Sequence, residues 1–482
     1  METFKVELFI NNEDVKTDKY QEVRDPGRLT EVVGTVAQGS IDHVDQAVKA
    51  AHQAFLSWRK VSLEERSALL LKAADALQKE APTLAAILTR ESGMLISNYR
   101  SEIPAAAGAI RHMVERAQSF FEPEQVEDQN TWISVEKIPL GVVAALTPWN
   151  VPTTITMNKV APALITGNTL VVKPSPFSCI AITKALKLIA SFLPPGVLNV
   201  IHGGAEVGEA LTTHPLVRKI TLTGGGKTAS AIMKSAADSL KRVHFELGGN
   251  DPAILLDDVN LDRVVPELVE GAFTRSGQVC VATKRIYIPE KLYAEVCDRV
   301  IDEVGKFKIG HGLDENATFG PVNNRNQYEF VKGMVERAKQ SKAKVIELGT
   351  KLEPDNWDNG YYLQPAVIIN AEPEQEAVVC EQFGPLIPLV SYRSEEEALH
   401  LANNTEYGLG SSVYSSDFER ALKFAREIEA GMTGINGRQH TPLGAKYRPF
   451  GGVKQSGIGW ENAEAGLMEY VNYHTITYHK NA

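Results

Sequence analysis

The sequence predicts an α/β protein of more than one domain, and three observations support this. The chain has 482 residues, which at roughly 150 residues per domain is too long for one small core. Apolar residues make up 43% and charged residues 23% of the chain, which excludes disordered and fibrous classes. In its middle part, short β-branched runs alternate with helix-length segments at intervals of about 25 residues, as in βαβ units with a parallel sheet.

The first part of the chain is predicted to be helical. Between residues 41 and 78 the apolar residues recur at helical spacing, and Ser62 with Glu65 forms a capping-box pattern for the second helix. The polar, acidic residues 122–128 indicate a boundary near residue 120. Residues 132–138 alternate and therefore predict a strand.

Five predicted strands form the most regular part of the sequence. They are residues 141–147, 169–173, 197–201, 218–222 and 242–245. Glycine, proline or other unusual residues follow each of them, and ligands of an open parallel sheet bind outside the carboxyl ends of its strands. Such residues also punctuate ordinary turns, but five turns in register favour a nucleotide site.

A second α/β domain is predicted from about residue 252 to residue 454. Its strand candidates are residues 253–256, 285–288, 367–369 and 386–391. The last segment, residues 470–479, alternates like an exposed strand that needs a partner. With residues 132–138 it is predicted to form an oligomerisation flap.

Charge and cysteine usage narrow the expected partners and compartment. The 50 Lys and Arg against 60 Asp and Glu leave a net charge of −10, which disfavours nucleic acid and anionic membranes as partners. We expect neither a secretory leader nor a membrane span. The four cysteines, Cys179, Cys280, Cys297 and Cys380, show no paired or metal-type spacing, so a reducing cytoplasm and no metal site are expected.

The glycine run from Gly224 to Gly226 is an ambiguous nucleotide signal. It is not a Walker loop, because Thr221 stands where that pattern needs a glycine. It does fit the looser G-x-G-x-x-A pattern that ends at Ala229, and Glu246 would then hold a ribose hydroxyl. Taken alone, this match is weak.

Cys280 is a candidate nucleophile. It follows Gly277, whose freedom lets backbone approach a ligand closely. A lone cysteine is more often a small buried hydrophobe. Its reactivity requires a lowered pKa or a neighbouring base.

Six longer motifs occur in order along the chain. They are Pro148-Trp149-Asn150, Val171-Val172-Lys173-Pro174, Glu246-Leu247-Gly248-Gly249, Gly277-Gln278-Val279-Cys280, Glu381-Gln382-Phe383-Gly384-Pro385 and the run from Pro449 to Gly457. In order and spacing they resemble the aldehyde dehydrogenase superfamily over nearly the whole chain. The resemblance implies a Rossmann-like cofactor domain (residues 1–120 and 141–248), an α/β catalytic domain (249–455) and a small β oligomerisation flap (121–140 and 465–482).

The resemblance also implies catalytic roles. Cys280 would attack an aldehyde carbonyl and form a thiohemiacetal, whose hydride passes to NAD or NADP and leaves a thioester. Asn150 and the N–H of Cys280 would donate to the oxyanion. Glu246 would activate the water that hydrolyses the thioester, and this role displaces its ribose interpretation.

Further residues resemble the family's cofactor contacts. Lys173 would contact the adenosine ribose, Glu381 and Phe383 the nicotinamide ribose and ring, Gly208 and Gly225 the adenine and the pyrophosphate, and Trp149 and Leu247 would line the cleft. Pro176 stands where NAD-preferring members often carry a ribose-binding glutamate, so NADP is expected to be tolerated or preferred. Gly225 replaces a serine that contacts phosphate in many members.

The substrate funnel implied by the resemblance is polar. Thr154 and Asn158 lie where bulky apolar groups would hold a long or aromatic aldehyde. The loop from residue 436 to residue 450 adds Arg438, Gln439, His440, Lys446 and Arg448. Because such cations recognise carboxylate, phosphate or sulfonate, a short polar or anionic aldehyde of semialdehyde, lactaldehyde or sulfolactaldehyde type is expected. Basic loop residues are also often simply solvated, and Tyr447 with Phe450 leaves an aromatic aldehyde as the alternative.

Other classes remain open at this stage. A thiol hydrolase could use Cys280 with His244 and would need no nicotinamide cofactor. A non-catalytic binding protein with the same fold is a further alternative, and CoA-acylating relatives are a nearer one. A homodimer or homotetramer is expected from the flap.

Overall fold

The structure is a computed structural model that describes residues 3–439 and 446–480. Its strands are β1 (Phe4–Val6), β2 (Leu8–Ile10), β3 (Glu13–Val15), β4 (Tyr20–Asp25), β5 (Arg28–Ala37), β6 (Glu124–Glu127), β7 (Thr131–Pro139), β8 (Val142–Leu146), β9 (Thr169–Lys173), β10 (Leu198–Val200), β11 (Val217–Thr223), β12 (Arg242–Glu246), β13 (Asp251–Leu255), β14 (Thr283–Pro289), β15 (Lys308–Ile309), β16 (Lys344–Glu347), β17 (Thr350–Lys351), β18 (Ala366–Ile369), β19 (Leu386–Tyr392), β20 (Gly410–Tyr414), β21 (Met432–Ile435), β22 (Gly457–Ile458) and β23 (Val471–His479).

The helices fill the connections between these strands. They are α1 (Ile41–Trp58), α2 (Leu63–Lys79), α3 (Ala81–Ser92), α4 (Ile96–Phe120), α5 (Pro152–Ile165), α6 (Cys179–Ala190), α7 (Ala205–Thr213), α8 (Gly226–Ala237), α9 (Leu261–Phe273), α10 (Tyr293–Gly305), α11 (Arg325–Lys339), α12 (Glu376–Val379), α13 (Glu395–Asn403), α14 (Phe418–Arg426) and a short helix, Ala463–Met468. Within the described residues, no helix combines the length and the apolar character that crossing a membrane requires.

An eight-stranded sheet forms the first layer, in the order β22-β12-β11-β8-β9-β10-β2-β3. Its five inner strands, β12 to β10 in that order, run parallel, and β22 and β2 pair antiparallel at the two sides. Because β8 pairs with both β9 and β11, Leu146 lies opposite Lys173 on one side and Leu222 on the other. The carboxyl ends of these strands therefore meet at one edge.

A seven-stranded sheet forms the second layer, in the order β16-β18-β19-β14-β13-β20-β21. All its pairs are parallel except β16 with β18. Only residues 247–250 separate β12 from β13. The carboxyl edge of the first sheet is thereby joined to the amino edge of the second, and the segments that precede β14 and β19 lie at that same amino edge.

A third sheet consists of β23, β7 and β6. Strands β23 and β7 pair antiparallel along their whole length, from Val471 opposite Pro139 to His479 opposite Thr131. The predicted pairing of the two segments is confirmed. The outer part of β23 is exposed, with Tyr473 and Tyr478 each more than half accessible.

The strands predicted from the sequence are all present, with ends shifted by one or two residues. The predicted helical region is two helices separated by residues 59–62, and Ser62 accepts the predicted hydrogen bond from the Glu65 N–H at 3.1 Å. Strands β1 to β6, β15 to β17, β20 and β21 were not predicted. Most of these runs are short, and β5, although ten residues long, mixes charged and apolar side chains. Strand β22, only two residues long, carries no sequence pattern either.

Candidate active site

A cleft of about 270 Å³ opens between the two large sheets. It is lined by Pro148, Trp149, Asn150, Thr223, Gly224, Gly225, Leu247, Gly248, Cys280, Gln327, Phe330, Glu381 and Phe383. These residues come from the carboxyl ends of β8, β11 and β12, from the loops before β14 and β19, and from α11. The cleft thus brings together Cys280 and six of the predicted binding or catalytic residues.

The loop that carries Cys280 is closely constrained. Arg275 and Ser276 have φ values of 51° and 56°, which non-glycine residues rarely adopt. Gly277 has φ 75°, and a Cβ at this position would collide with the carbonyl of Gly384. Glycine therefore allows the loop to pack against the segment before β19. Burial raises the pKa of the Cys280 thiol to about 12, and Lys284 opposes this rise.

Asn150 lies four residues after β8 and is 4% exposed. Arg275 donates to its carbonyl at 3.2 Å and forms an ion pair with Glu102 at 2.8 Å. Glu102 in turn accepts the N–H groups of Thr153 and Thr154 at the start of α5. These bonds hold the Asn150 backbone to the cysteine loop and leave its side-chain amide, at the cleft wall, without a hydrogen bond to any described residue.

Glu246 ends β12 and is 3% exposed. Neither of its carboxylate oxygens has a hydrogen-bond partner among the described residues. Burial, assisted by the charge of Glu461, raises its pKa well above the ordinary value, and Lys159 opposes the rise. A buried carboxyl without partners is costly for stability.

Two ion pairs contain charges that act on Glu246. Lys159 contacts Glu461 at 2.7 Å, with exposed side-chain fractions of 0% and 5%. Lys219 contacts Glu469 at 2.7 Å. Lys159 was not selected from the sequence. The one available signal was a lysine inside the apolar helix α5, and its partner stands 302 positions away.

His244 does not pair with Cys280. Its Nδ1 lies 2.9 Å from the hydroxyl of Thr221, and its Nε2 lies 3.5 Å from Glu246. Burial lowers the pKa of His244 well below its usual value, so the ring is neutral. Both ring nitrogens are thus directed at groups other than the thiol, which argues against a cysteine–histidine hydrolase.

The predicted nicotinamide residues lie together in the cleft. The rings of Trp149 and Phe383 meet edge to face at 5.5 Å. Phe383 has φ 48°. Glu381 accepts the N–H of Gly249 at 3.0 Å, and a Cβ on Gly248 would collide with its carboxylate.

The other end of the cleft suits a phosphate-bearing ligand. Gly225 precedes α8, whose start has no side-chain cap, so free N–H groups and the helix dipole are available to an anion. A Cβ on Gly225 or on Gly208 would meet nothing closer than 3.8 Å, and Gly208 faces the Lys173 stem. Lys173 is mostly buried without a described carboxylate partner, and burial lowers its pKa. These features fit the phosphate groups of a dinucleotide.

The described residues that line the cleft do not include Pro176, Asn158 or Arg438, nor do they include Glu246, Lys173 or Gly208. Pro176 is exposed and borders a small hollow with Gln21, Gln38 and His202. Asn158 donates to Glu461 at 3.3 Å. Arg438 pairs with Glu270 at 2.5 Å, and His440 falls outside the described residues.

Sequence reasoning also missed several lining residues. Gln327 and Phe330, both on α11, are among them. Gln327 donates to the carbonyls of Gln382 and Phe383, so it orients the segment that carries Glu381. No sequence pattern identifies these residues, because α11 reaches the cleft only through the fold.

Known proteins match this chain over almost its full length. A family model described as the aldehyde dehydrogenase family matches residues 13–476. The α-ketoglutaric semialdehyde dehydrogenase of Bacillus subtilis (strain 168) is 34% identical over 457 residues, which cover 93% of this chain and 92% of that protein. Succinate-semialdehyde dehydrogenase (NADP(+)) 1 of Schizosaccharomyces pombe is 33% identical, with 99% and 96% covered.

A solved structure agrees with these matches. Betaine aldehyde dehydrogenase of Staphylococcus aureus in complex with NAD+ has a TM-score of 0.94 and 30% identity, with 99% of this chain and 95% of that chain covered. The chain therefore belongs to the aldehyde dehydrogenase family and is an NAD(P)-dependent aldehyde dehydrogenase.

Proposed function

We propose that Cys280, Asn150 and Glu246 carry the reaction. The Cys280 thiol loses its proton to solvent, and the thiolate attacks the aldehyde carbon. The carbonyl oxygen becomes an oxyanion that the Asn150 amide and the Cys280 N–H stabilise. Trp149, Phe383 and Glu381 would hold the nicotinamide of NAD or NADP, which would supply the hydride acceptor. Loss of that hydride leaves a thioester on Cys280.

Glu246 completes the cycle. Its carboxylate takes a proton from water, the resulting hydroxide attacks the thioester carbon, and the C–S bond breaks to release the acid and the thiolate. The observation that carries this proposal is the buried, unpartnered carboxylate of Glu246 at the end of β12. Burial raises the pKa of Glu246, which makes its carboxylate a stronger base.

Pre-steady-state kinetics of Glu246→Gln test this assignment. We expect an intact burst of reduced cofactor and a steady-state rate lower by about 10²-fold or more. Glu469→Gln, which removes the partner of Lys219 and leaves Glu246 in place, is the control. A raised cofactor KM with normal turnover in Glu246→Gln would instead favour a ribose role and overturn the proposal.

We further propose a short polar or anionic aldehyde as the substrate. Two of the relatives named above are semialdehyde dehydrogenases. In addition, Arg448 has buried Nε and Nη1 atoms without a hydrogen-bond partner among the described residues. A guanidinium with free donors suits a carboxylate, sulfonate or phosphate.

A substrate panel tests this proposal. For Arg448→Met we expect kcat/KM for succinate semialdehyde to fall about tenfold or more while butanal, which lacks the second charge, changes little. Arg438→Met, whose charge is already paired with Glu270, should have the smaller effect. A preference for benzaldehyde over both aliphatic aldehydes would favour the aromatic alternative, and equal use of charged and neutral aldehydes would refute an anionic site.

NADP is proposed to be accepted at least as well as NAD. The support is the absence of an acidic residue among the described residues that line the hollow at Pro176, since a carboxylate there would repel a 2′-phosphate. We expect Pro176→Glu to lower kcat/KM for NADP and to leave that for NAD within about twofold. A strong preference of the unchanged enzyme for NAD would contradict the proposal.

We also propose a homo-oligomer in a reducing compartment such as the cytoplasm. The exposed Tyr473 and Tyr478 of β23 and the free state of all four cysteines support these two points. The domain boundaries given above are proposed on the membership of the three main sheets. Sedimentation of the full chain, with Tyr473→Asp as the disrupting variant, tests the assembly.

A further inference from the structure

Lys284 lies directly beneath the loop that carries Cys280. It is the second residue of β14, and its side chain is 1% exposed. Its Nζ donates to the carbonyls of Val279 at 2.9 Å, Cys280 at 2.6 Å and Ala282 at 3.3 Å. One ammonium group thus donates hydrogen bonds to three of the four carbonyls in residues 279–282.

These bonds fix the direction of the Cys280 N–H. A trans peptide places the carbonyl of one residue and the N–H of the next on opposite sides. Because the Val279 carbonyl points at Lys284, the Cys280 N–H must point away from it. That N–H donates to no described residue, so it remains available to a developing oxyanion.

Lys284 also joins the loop to the cofactor side of the cleft. Its Nζ lies 3.6 Å from Oε1 of Glu381, the oxygen that accepts the Gly249 N–H. The carbonyl of Lys284 accepts a hydrogen bond from Gln382 at 2.9 Å. A movement of the ammonium would therefore disturb both Cys280 and Glu381.

The charges around the thiol make this ammonium unusual. The groups that act on Cys280 are Lys284, Glu381, Glu246 and Asp251, and Lys284 is the cation in that set. Asp251 begins β13, and burial raises its pKa to about 6 while Lys284 opposes the rise. Without the lysine, a thiolate at Cys280 would face carboxyl groups alone.

We propose that Lys284 is a positioning residue of the reaction, which directs the Cys280 N–H into the cleft, keeps positive charge beside the sulfur and couples the loop to Glu381. This rests on the role proposed for Cys280. A purely structural lysine would act on the sulfur only through the shape of the loop. For a positioning lysine, loss of the positive charge should itself make the Cys280 thiolate harder to form.

The test follows alkylation of Cys280 by iodoacetamide as a function of pH, in the full-length enzyme without cofactor. Peptide mass spectrometry separates Cys280 from the exposed Cys380. The variants are Lys284→Met, Lys284→Gln, which retains donors without charge, and Lys284→Arg, which retains the charge. If Lys284→Met does not fold, the comparison of the Gln and Arg variants still tests whether the positive charge is needed.

At each pH from 7 to 9 we expect alkylation of Cys280 to be about tenfold slower in the Met and Gln variants, which corresponds to a midpoint higher by about one pH unit. Lys284→Arg should stay near the unchanged enzyme. The cofactor KM should rise in the Met and Gln variants through Glu381.

Arg285→Lys is the matched control. This neighbouring residue is as deeply buried, but it donates to Asn250, Tyr287, Leu401 and Ala402 rather than to the cysteine loop. It should lower the melting temperature without moving the alkylation midpoint. An unchanged midpoint in Lys284→Gln, or an equal shift in Arg285→Lys, would overturn the proposal.

The role of Cys280 itself is tested separately by Cys280→Ser. If that variant remained active, the proposed function would fail. The alkylation profiles would still decide whether Lys284 acts on the sulfur.

Discussion

Glu246 and Glu461 are two buried glutamates under the influence of the same lysine, and the fold treats them differently. Glu461 is 4% exposed and has Lys159 at 2.7 Å and Asn158 at 3.3 Å. Glu246 is 3% exposed and has no hydrogen-bond partner among the described residues. Burial is therefore the same for both, and only one carboxylate is compensated.

The difference teaches which of the two groups contributes to stability. A paired buried ion stabilises only relative to a state with one partner missing, and this is the situation of Glu461. Glu246 retains free lone pairs at a cost in folding free energy, next to a cleft that contains Cys280 and Asn150. Removing each carboxylate should therefore have opposite consequences.

The largest expected effect is on stability at the paired glutamate. Glu461→Gln leaves Lys159 as a buried, unpaired charge and should lower the free energy of unfolding by about 3–5 kcal/mol. Glu246→Gln should leave it unchanged or raise it, because the variant removes a penalised charge. Urea unfolding of the two variants measures the contrast.

A double variant, Lys159→Met with Glu461→Leu, is the control for this prediction. It removes both charges and should recover much of the loss. Equal destabilisation by Glu246→Gln and Glu461→Gln would break the comparison.

Asn150→Ala should slow hydride transfer, which precedes the step assigned to Glu246. Loss of one oxyanion donor costs on the order of 10²-fold to 10³-fold in rate. Rapid-mixing measurement of the cofactor burst should show this loss in Asn150→Ala and not in Glu246→Gln. A normal burst in Asn150→Ala would place the oxyanion elsewhere.

The pH dependence of thioester hydrolysis should report the protonation of Glu246. Because the pKa of Glu246 is raised, thioester hydrolysis should increase about tenfold per pH unit below its midpoint, which lies above the ordinary 4.5. Lys159 opposes the rise, so Lys159→Met should move the midpoint to higher pH. A midpoint near 4.5 in the unchanged enzyme would contradict the assignment.

The free energy of unfolding should decrease with rising pH, whereas the rate of hydrolysis increases. Folding raises the pKa of Glu246, so the folded state binds more protons between the two values, and the free energy of unfolding falls as pH rises through that window. The fall should be absent in Glu246→Gln. Denaturant titrations from pH 5 to pH 8 check this prediction.

The smallest effect is expected at Thr221, whose hydroxyl contacts His244 beside Glu246. Thr221→Val removes the hydroxyl that lies 2.9 Å from Nδ1 of His244 and should cost about 1 kcal/mol of unfolding free energy. Turnover should change less than in Asn150→Ala. A larger loss of activity than of stability would give His244 a role in the reaction.

Sequence reasoning reached the strands and the cleft residues because both follow local rules. Short β-branched runs at regular intervals predicted β8, β9 and β12, and the motifs that follow these strands meet at one edge, as parallel strands require. Cys280 and Glu381 came instead from the family resemblance. They precede β14 and β19 in the second sheet, and no periodicity indicates that this amino edge faces the first sheet.

There is a physical reason why the partners of the buried lysines could not be predicted from the sequence. Lys159 meets Glu461, and Lys284 meets Glu381, across separations that only the fold closes. Adjacent Lys284 and Arg285 in an otherwise apolar strand were a signal that both cations needed buried partners. Which carbonyls and carboxylates would supply them depended on tertiary structure.

The most direct test of the account is to trap the thioester. Glu246→Gln is mixed with succinate semialdehyde and NADP, quenched in acid after one burst, and analysed by peptide mass spectrometry. The account predicts the succinyl mass on the Cys280 peptide in nearly every active subunit, and none in Cys280→Ser. Full turnover by Glu246→Gln with an unmodified Cys280 peptide would contradict it.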